Sequence, residues 1–165
     1  MKNTMHNEQV SIISLCPVEP SHENFLLKLF TECRPDLALI IDVSKKQKAS
    51  IISQQFTMEQ QQLIQMYPDA ELNIVMFNKE PVGRLYVHHG ETADRILEIG
   101  LLEQYRGRGI GGKLVTTVIE NAAKIGKTVR LQVVWFNQGA YAFYEKVGFQ
   151  VIENRDVFYE MQYMY

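Results

Sequence analysis

The sequence predicts a mixed α/β (α+β) fold: a central twisted, mostly antiparallel sheet of about seven strands flanked by about four helices. Three observations predict it. Three β-like segments follow one another across short turns, the pattern of an antiparallel meander. Segments with apolar residues at helical spacing interrupt the strands irregularly, so the chain lacks the regular alternation of a doubly wound parallel sheet. A glycine-rich turn joins an apolar strand to an amphipathic helix, a junction built for an anion.

In chain order, Val10–Leu15 reads as a first strand. Pro20–Cys33 reads as a helix, with Ser21 as its cap and Phe25, Leu26, Leu29 and Phe30 at helical spacing. Ser50–Tyr67 is a second helix, ended by Pro68, and its glutamines (Gln54, Gln55, Gln60, Gln61, Gln62) read as a solvated face. Leu72–Phe77, Val82–His88 and Ile96–Leu102 form the meander. Ile110–Lys124 is a helix stopped at Gly126. Thr128–Trp135 has the β-branched, apolar character of a buried strand. Asn137 caps a helix over Ala140–Val147, which Gly148 ends. Phe149–Glu153 and Val157–Met161 read as a closing hairpin.

The chain has 165 residues, most economically a single domain over 1–165, and is long enough to bury a core without covalent staples. A net charge of −2 gives no global drive toward nucleic acid or anionic membranes. No apolar run approaches the roughly 20 residues of a membrane span. Met1–Gln9 is polar and lacks a signal-peptide core, which makes the cytoplasm the expected location. The two cysteines, Cys16 and Cys33, are far apart and belong to no metal-ligand pattern, so they read as buried free thiols and no metal is expected.

The glycine turn Tyr105-Arg106-Gly107-Arg108-Gly109-Ile110-Gly111-Gly112-Lys113 admits three phosphate-bearing ligand classes. Gly107 to Gly112 satisfies GxGxxG, but a dinucleotide fold needs an acid about 20 residues later, and Asn121 to Tyr144 contains no Asp or Glu. A P-loop needs Ser or Thr after the lysine to hold Mg²⁺, and position 114 is Leu. The third reading fits both sides of the turn. Arg106, Gly109 and Gly111 meet [Q/R]-x-x-G-x-[G/A], and Asn137, Ala140, Tyr144, Gly148 and Phe149 meet N-x2-A-x3-Y-x3-G-F. In these two motifs, flanking one strand, the sequence resembles the GNAT superfamily of acyl-CoA-dependent N-acyltransferases. Ser53–Tyr67 and the meander further resemble small bacterial members, many with unassigned substrates.

The resemblance implies the GNAT-like acyl-CoA N-acyltransferase fold and transfer of acetyl from acetyl-CoA to a primary amine, by direct attack in a ternary complex. It implies pyrophosphate contacts from the backbone of about Arg108 to Lys113 (Arg108, Gly109, Ile110, Gly111, Gly112, Lys113), with charge added by Arg106, Arg108 and Lys113. Gly100 inside an apolar strand suggests a bulge or a close backbone approach. By family position Leu101 and Leu102 supply backbone groups to the pantetheine arm, the Leu101 N–H serving as oxyanion donor. Tyr144 takes the general-acid position, and also reads as part of an aromatic core face with Tyr141 and Phe143. Asn137 caps its helix, bonds the pantetheine, or does both. Glu98 is the preferred base, or else a cross-strand partner of Arg84 or Arg95. Glu103 is a weaker candidate, and His88 and His89 read as turn residues. Acetyl-CoA and an amine-bearing acceptor of unspecified identity are the expected partners; dimers are common in the family, but nothing here specifies an interface. The alternative reading is a non-catalytic acyl-CoA binding or sensing module.

Overall fold

The strands are β1 (Ile13–Pro17), β2 (Glu71–Phe77), β3 (Glu80–His89), β4 (Ala93–Leu101), β5 (Thr128–Val134), β6 (Phe149–Arg155) and β7 (Phe158–Tyr163). The helices are α1 (Glu23–Glu32), α2 (Lys45–Met66), α3 (Ile110–Lys124) and α4 (Gln138–Val147). This computed structural model describes residues 12–165; Val10 and Ser11 of the expected first strand, and the polar Met1–Gln9 stretch, lie outside the described residues. The strands form one sheet in the order β1-β2-β3-β4-β5-β7-β6. Every neighbouring pair is antiparallel except β4–β5. The mixed, mostly antiparallel architecture is thus the one that the sequence predicts.

Several boundaries differ from expectation for identifiable reasons. The first helix opens as a 3-10 turn at Pro20–His22, and α1 begins only at Glu23; Ser21 is not its cap. Helix α2 starts five residues earlier than the apolar spacing suggests, because Ser44 and Gln47 form a reciprocal capping box (Gln47 N to Ser44 Oγ 3.1 Å, Ser44 N to Gln47 Oε1 3.0 Å). Its first turn, Lys45-Lys46-Gln47-Lys48, is polar and carries no hydrophobic signal. A 3-10 segment at Pro35–Leu39 was not anticipated; Pro35 starts it and Leu37 anchors it in the core.

Two cores hold the sheet. On one face α3 packs Leu114, Val115, Val118, Ile119 and Ala122 onto β3, β4 and β5, and Phe149 joins from β6. On the other face Leu26 and Phe30 of α1, Leu37, and Ile52 and Phe56 of α2 enclose Ile74 of β2. Phe30 and Phe56 meet at 5.4 Å between ring centroids, which ties α1 to α2.

At the far end of the β3–β4 hairpin, the His89 ring lies between Glu71 (Nε2–Oε2 2.8 Å) and Asp94 (Nδ1–Oδ1 3.2 Å). The hydrogen bond to Glu71, then Asp94, holds the imidazole pKa above its ordinary value near 6.5, against the effect of burial. The same hydrogen bond holds Glu71 below its ordinary 4.5. A raised histidine stabilises fully below its unfolded pKa and loses that contribution as pH climbs through the folded one. A depressed carboxylate contributes above its unfolded pKa and is lost as pH falls. The pair is therefore strongest at about pH 5–6. His89→Gln is expected to lower the melting temperature most in that window and least above about pH 8. Half-exposed as the ring is, the gap stays under about 1 kcal/mol. Thermal melts across pH check this, and a constant gap would contradict it.

Candidate active site

Strands β4 and β5 pair over only three residues, Ala93–Arg95 against Thr128–Arg130. Beyond them the parallel strands diverge and open the middle of the sheet. Next to this opening lies a cavity of about 310 Å³, whose walls include Glu98 and Ile99 of β4, Val133 and Val134 of β5, and Asn137 and Tyr144 at α4. A larger cleft, about 820 Å³, lies beside α3 over β1–β4, and none of Glu98, Asn137 and Tyr144 lines it.

The backbone at the opening follows from the ladder. Gly83 and Leu101 are opposed in β3 and β4, while the Leu102 N–H already donates to Val82 O at 2.8 Å. Antiparallel residues alternate between bonded and non-bonded pairs. Leu101, and by the same alternation Ile99, therefore turn their backbone groups toward the opening. The Leu102 donor, expected to face the opening, is instead spent inside the sheet on Val82 O, so Ile99 and Leu101 are the residues of β4 that present backbone there.

Of the two features read at Gly100, the close backbone approach is present, Gly83 lying tight against the Gly100 carbonyl, while the bulge is at Leu97. Tyr86 pairs with Glu98 and Val87 with Ile96, so Leu97 is the extra residue. The bulge has a consequence for the site. Residues two apart on a regular strand share a face. Ile96 packs in the α3 core, so without the extra residue Glu98 would face that core too. The bulge turns Glu98 to the cavity. Gly100 keeps regular pairing with Arg84 and is a packing glycine: a Cβ there would lie 3.0 Å from Cys33 Sγ.

Glu98 keeps 43% of its side chain accessible, and it accepts a hydrogen bond from Arg84 Nη2 at 3.2 Å. Its open surface faces a concave cavity rather than bulk water. Burial there pushes its pKa above the ordinary carboxylate value, while the Arg84 guanidinium pulls it back and the Glu59 charge adds to the rise. Of the two cross-strand partners considered for Glu98, Arg84 is the one found; Arg95 bonds the buried Glu160. Tyr144 lies on the α4 side of the cavity. It packs edge-on against Phe143 (5.1 Å) and Phe149 (5.5 Å). Burial, followed by the Glu98 charge, pushes its phenol up to about 12. Asn137 caps α4, its Oδ1 accepting from Ala140 N at 3.1 Å.

The glycine turn enters α3 with Gly109 at φ 81°, a left-handed conformation natural to glycine. Gly109 has no side chain to cap the helix. Lys113 N bonds Gly109 O at 3.1 Å, so Lys113 leaves the expected fan of donors, and the N–H groups of Ile110, Gly111 and Gly112 are the orphans of the first turn. Cβ atoms added at Gly109, Gly111 or Gly112 would meet nothing within 4 Å, so a ligand can approach this backbone closely.

The basic side chains around the turn are solvent-accessible. Arg106, itself exposed, is tied back along the surface: Nε donates to Leu101 O at 3.0 Å and Nη2 to Glu32 O at 3.1 Å, which joins the end of β4 to the end of α1. These bonds brace the strand end. Arg108 lies over the Tyr105 ring at 5.2 Å, and Lys113 borders the larger cleft.

Other candidates lie elsewhere. His88 packs tilted against Tyr67 at 4.9 Å between ring centroids, and Glu103 sits beside α1, its backbone N–H bonded to Glu32 Oε1. Cys16 and Cys33 are free and half-buried. Sequence reasoning missed Arg34 and Glu59 at the cavity. Arg34 Nη1 bonds both Glu59 oxygens (2.9 and 2.8 Å) while Nε and Nη2 hold Asp36, clamping the 3-10 segment onto α2. Glu59 is the one acid in α2, which was its available signal. Gln60, assigned to a solvated face, donates to the Tyr86 hydroxyl at 3.3 Å.

A sheet opened between two parallel strands, beside a helix that starts on bare glycine, defines the acetyltransferase fold of the GNAT type. The acetyltransferase (GNAT) family matches residues 26–149, and the chain belongs to that family. It is 30% identical over 104 residues to the uncharacterized N-acetyltransferase CgeE of Bacillus subtilis (57% of this chain, 40% of that protein). It is 33% identical over 93 residues to N-alpha-acetyltransferase 50 of Danio rerio (53% of this chain, 55% of that protein). The matched regions thus span less than two thirds of these relatives. Among solved structures, PaiA N-acetyltransferase from Thermoplasma acidophilum, in complex with coenzyme A, superposes with a TM-score of 0.70 at 20% identity, covering 93% of this chain and 99% of that one. Among the described residues, no helix is long and apolar enough to cross a membrane.

Proposed function

We propose that the chain is a single acetyltransferase domain that moves an acetyl group from acetyl-CoA to a primary amine by direct attack in a ternary complex, as a cytoplasmic enzyme. One observation carries the reading: the divergence of β4 from β5 turns the backbone of Ile99 and Leu101 toward an opening that ends at Glu98 and Tyr144. These residues fit the donor. The orphan N–H groups of Ile110, Gly111 and Gly112 suit its pyrophosphate. Ile99 and Leu101 offer the edge of a strand to its amide-bearing arm. The thioester supplies the acyl group and a sulfur leaving group.

The chain's own groups divide the remaining work. Leu101 N–H donates to the thioester carbonyl oxygen as negative charge grows there. Glu98 accepts the proton that the amine must lose, since an alkylammonium with pKa near ~10 has no free lone pair. Tyr144 holds its proton throughout the neutral range and donates it to the departing sulfur. Glu98 passes that first proton to solvent; the freed nitrogen then bonds the acyl carbon as the carbon–sulfur bond breaks, its second proton goes to Glu98, and the proton that sulfur takes from Tyr144 is replaced from solvent. Phe30, Phe56 and Leu63, with the Arg34–Glu59 pair, form the acceptor wall on the α1–α2 side.

Titration calorimetry with acetyl-CoA tests donor binding. Gly109→Glu strains the left-handed turn and sets a negative charge among the orphan donors, so affinity is expected to fall at least tenfold. Equal binding by the variant, or none by the wild type, would contradict the reading.

A further inference from the structure

The proposed base does not stand alone. We propose that Arg84 is a positioning residue for acetyl transfer, its guanidinium holding Glu98 charged and aimed into the cavity. The inference rests on Glu98 acting as the base, and it adds a residue that neither sequence motif contains.

Four observations support it. Arg84 stands on β3, one diagonal step from Glu98 across the ladder, because Tyr86 is the residue opposed to Glu98 and Gly100 the one opposed to Arg84. Its side chain is only 10% accessible, and it reaches Glu98 Oε2 at 3.2 Å. Its guanidinium lies over the Tyr86 ring at 5.1 Å, and that ring is tethered at its hydroxyl by Gln60 of α2. Glycine at position 100 leaves no side chain opposite Arg84, and Gly83 lies close against the Gly100 carbonyl, so the two strands pack tightly beside the arginine. The arginine is thus fixed from three sides before it meets the carboxylate. An arginine so far out of water needs an anionic partner, and Glu98 is the carboxylate that it reaches.

The surrounding charges make Arg84 decisive. Glu98 is faced by Arg84 from β3, Glu59 from α2, Arg34 and the Cys33 thiol beyond α1, and Tyr144 from α4. Arg34 is bound to two carboxylates, Asp36 and Glu59, so that group carries net negative charge and does little to keep another carboxylate ionised. Burial favours the protonated acid, which is useless as a base. Arg84 supplies the main opposing pull.

The test is Arg84→Met, read by carbon-13 NMR titration of glutamate-labelled protein, the Glu98 signal being assigned with Glu98→Gln. Losing an opposite charge at this distance is expected to raise the Glu98 midpoint by about 1–3 pH units. Arg84→Lys keeps the charge and should hold the midpoint close to wild type, even if Met perturbs folding. The acidic limb of kcat/KM for the best amine from a screen should move up with the midpoint in Arg84→Met. It should not respond to Arg84→Met in a Glu98→Gln background. An unmoved midpoint overturns the inference, whatever the enzyme's activity. A midpoint that moves while the rate profile stays in place overturns Glu98 as the base and leaves Arg84's hold on the carboxylate standing.

Discussion

Glu98→Gln is expected to lower kcat/KM for acetyl transfer by roughly 10²–10⁴, the range of a lost general base. Glutamine keeps the shape of the carboxylate and still accepts a hydrogen bond from Arg84, so the loss is one of proton affinity rather than of packing. The pH dependence identifies the cause. A base works only when ionised, so wild-type activity rises with pH through the pKa of Glu98. Burial places that pKa above 4.5. The limb should therefore lie at higher pH than a surface glutamate would give, and it should disappear in Glu98→Gln. Acetyl-CoA affinity should change less than threefold, because the proposed donor contacts are backbone groups of Ile99, Leu101 and the α3 turn. Steady-state kinetics across pH, with calorimetry alongside, check all three. A variant with full activity and an unchanged limb would return Glu98 to a purely structural role as partner of Arg84.

Tyr144→Phe is the second large effect. The ring contacts with Phe143 and Phe149 survive, so the melting temperature should stay within a few degrees of wild type. The hydroxyl is lost, and with it the proton for the leaving sulfur. Turnover is expected to fall about 10²-fold or more with acetyl-CoA affinity nearly intact. Because the phenol is pushed up to about 12, it remains protonated throughout the neutral and mildly alkaline range. No alkaline limb from Tyr144 should appear below about pH 11. The same variant separates an enzyme from an acyl-CoA sensor, which binds the donor and has no turnover to lose. Calorimetry and single-turnover kinetics give the comparison.

The legibility of this chain varied with the kind of force involved. The meander, the closing hairpin and the helices were readable because apolar periodicity records which faces meet a core, whereas the order of strands in the sheet was not. The glycine turn was readable because a left-handed helix entry at Gly109 needs glycine. The start of α2 was hidden, since a capping box among lysines has no hydrophobic signature. The bulge at Leu97 was hidden for another reason: bulges answer to pairing with a partner strand, and Leu97 is as apolar as its neighbours. Gly100 was readable as a site of close approach, and its neighbours there are Gly83 and the Cys33 sulfur. Arg106 occupies its motif position, yet a spacing rule is silent on where a long side chain turns, and this one turns to the carbonyls of Leu101 and Glu32. Arg34 and Glu59 come together from 25 residues apart, a distance over which no local pattern operates.

The most direct test of the account is to incubate the protein with acetyl-CoA and a mixed library of primary amines, then search by mass spectrometry for acetylated products while measuring free CoA. The account predicts at least one amine that gains an acetyl group in step with CoA release, by the wild type and far more slowly by Tyr144→Phe. Saturating acetyl-CoA with no acetylated amine, or with CoA release independent of any amine, would contradict it.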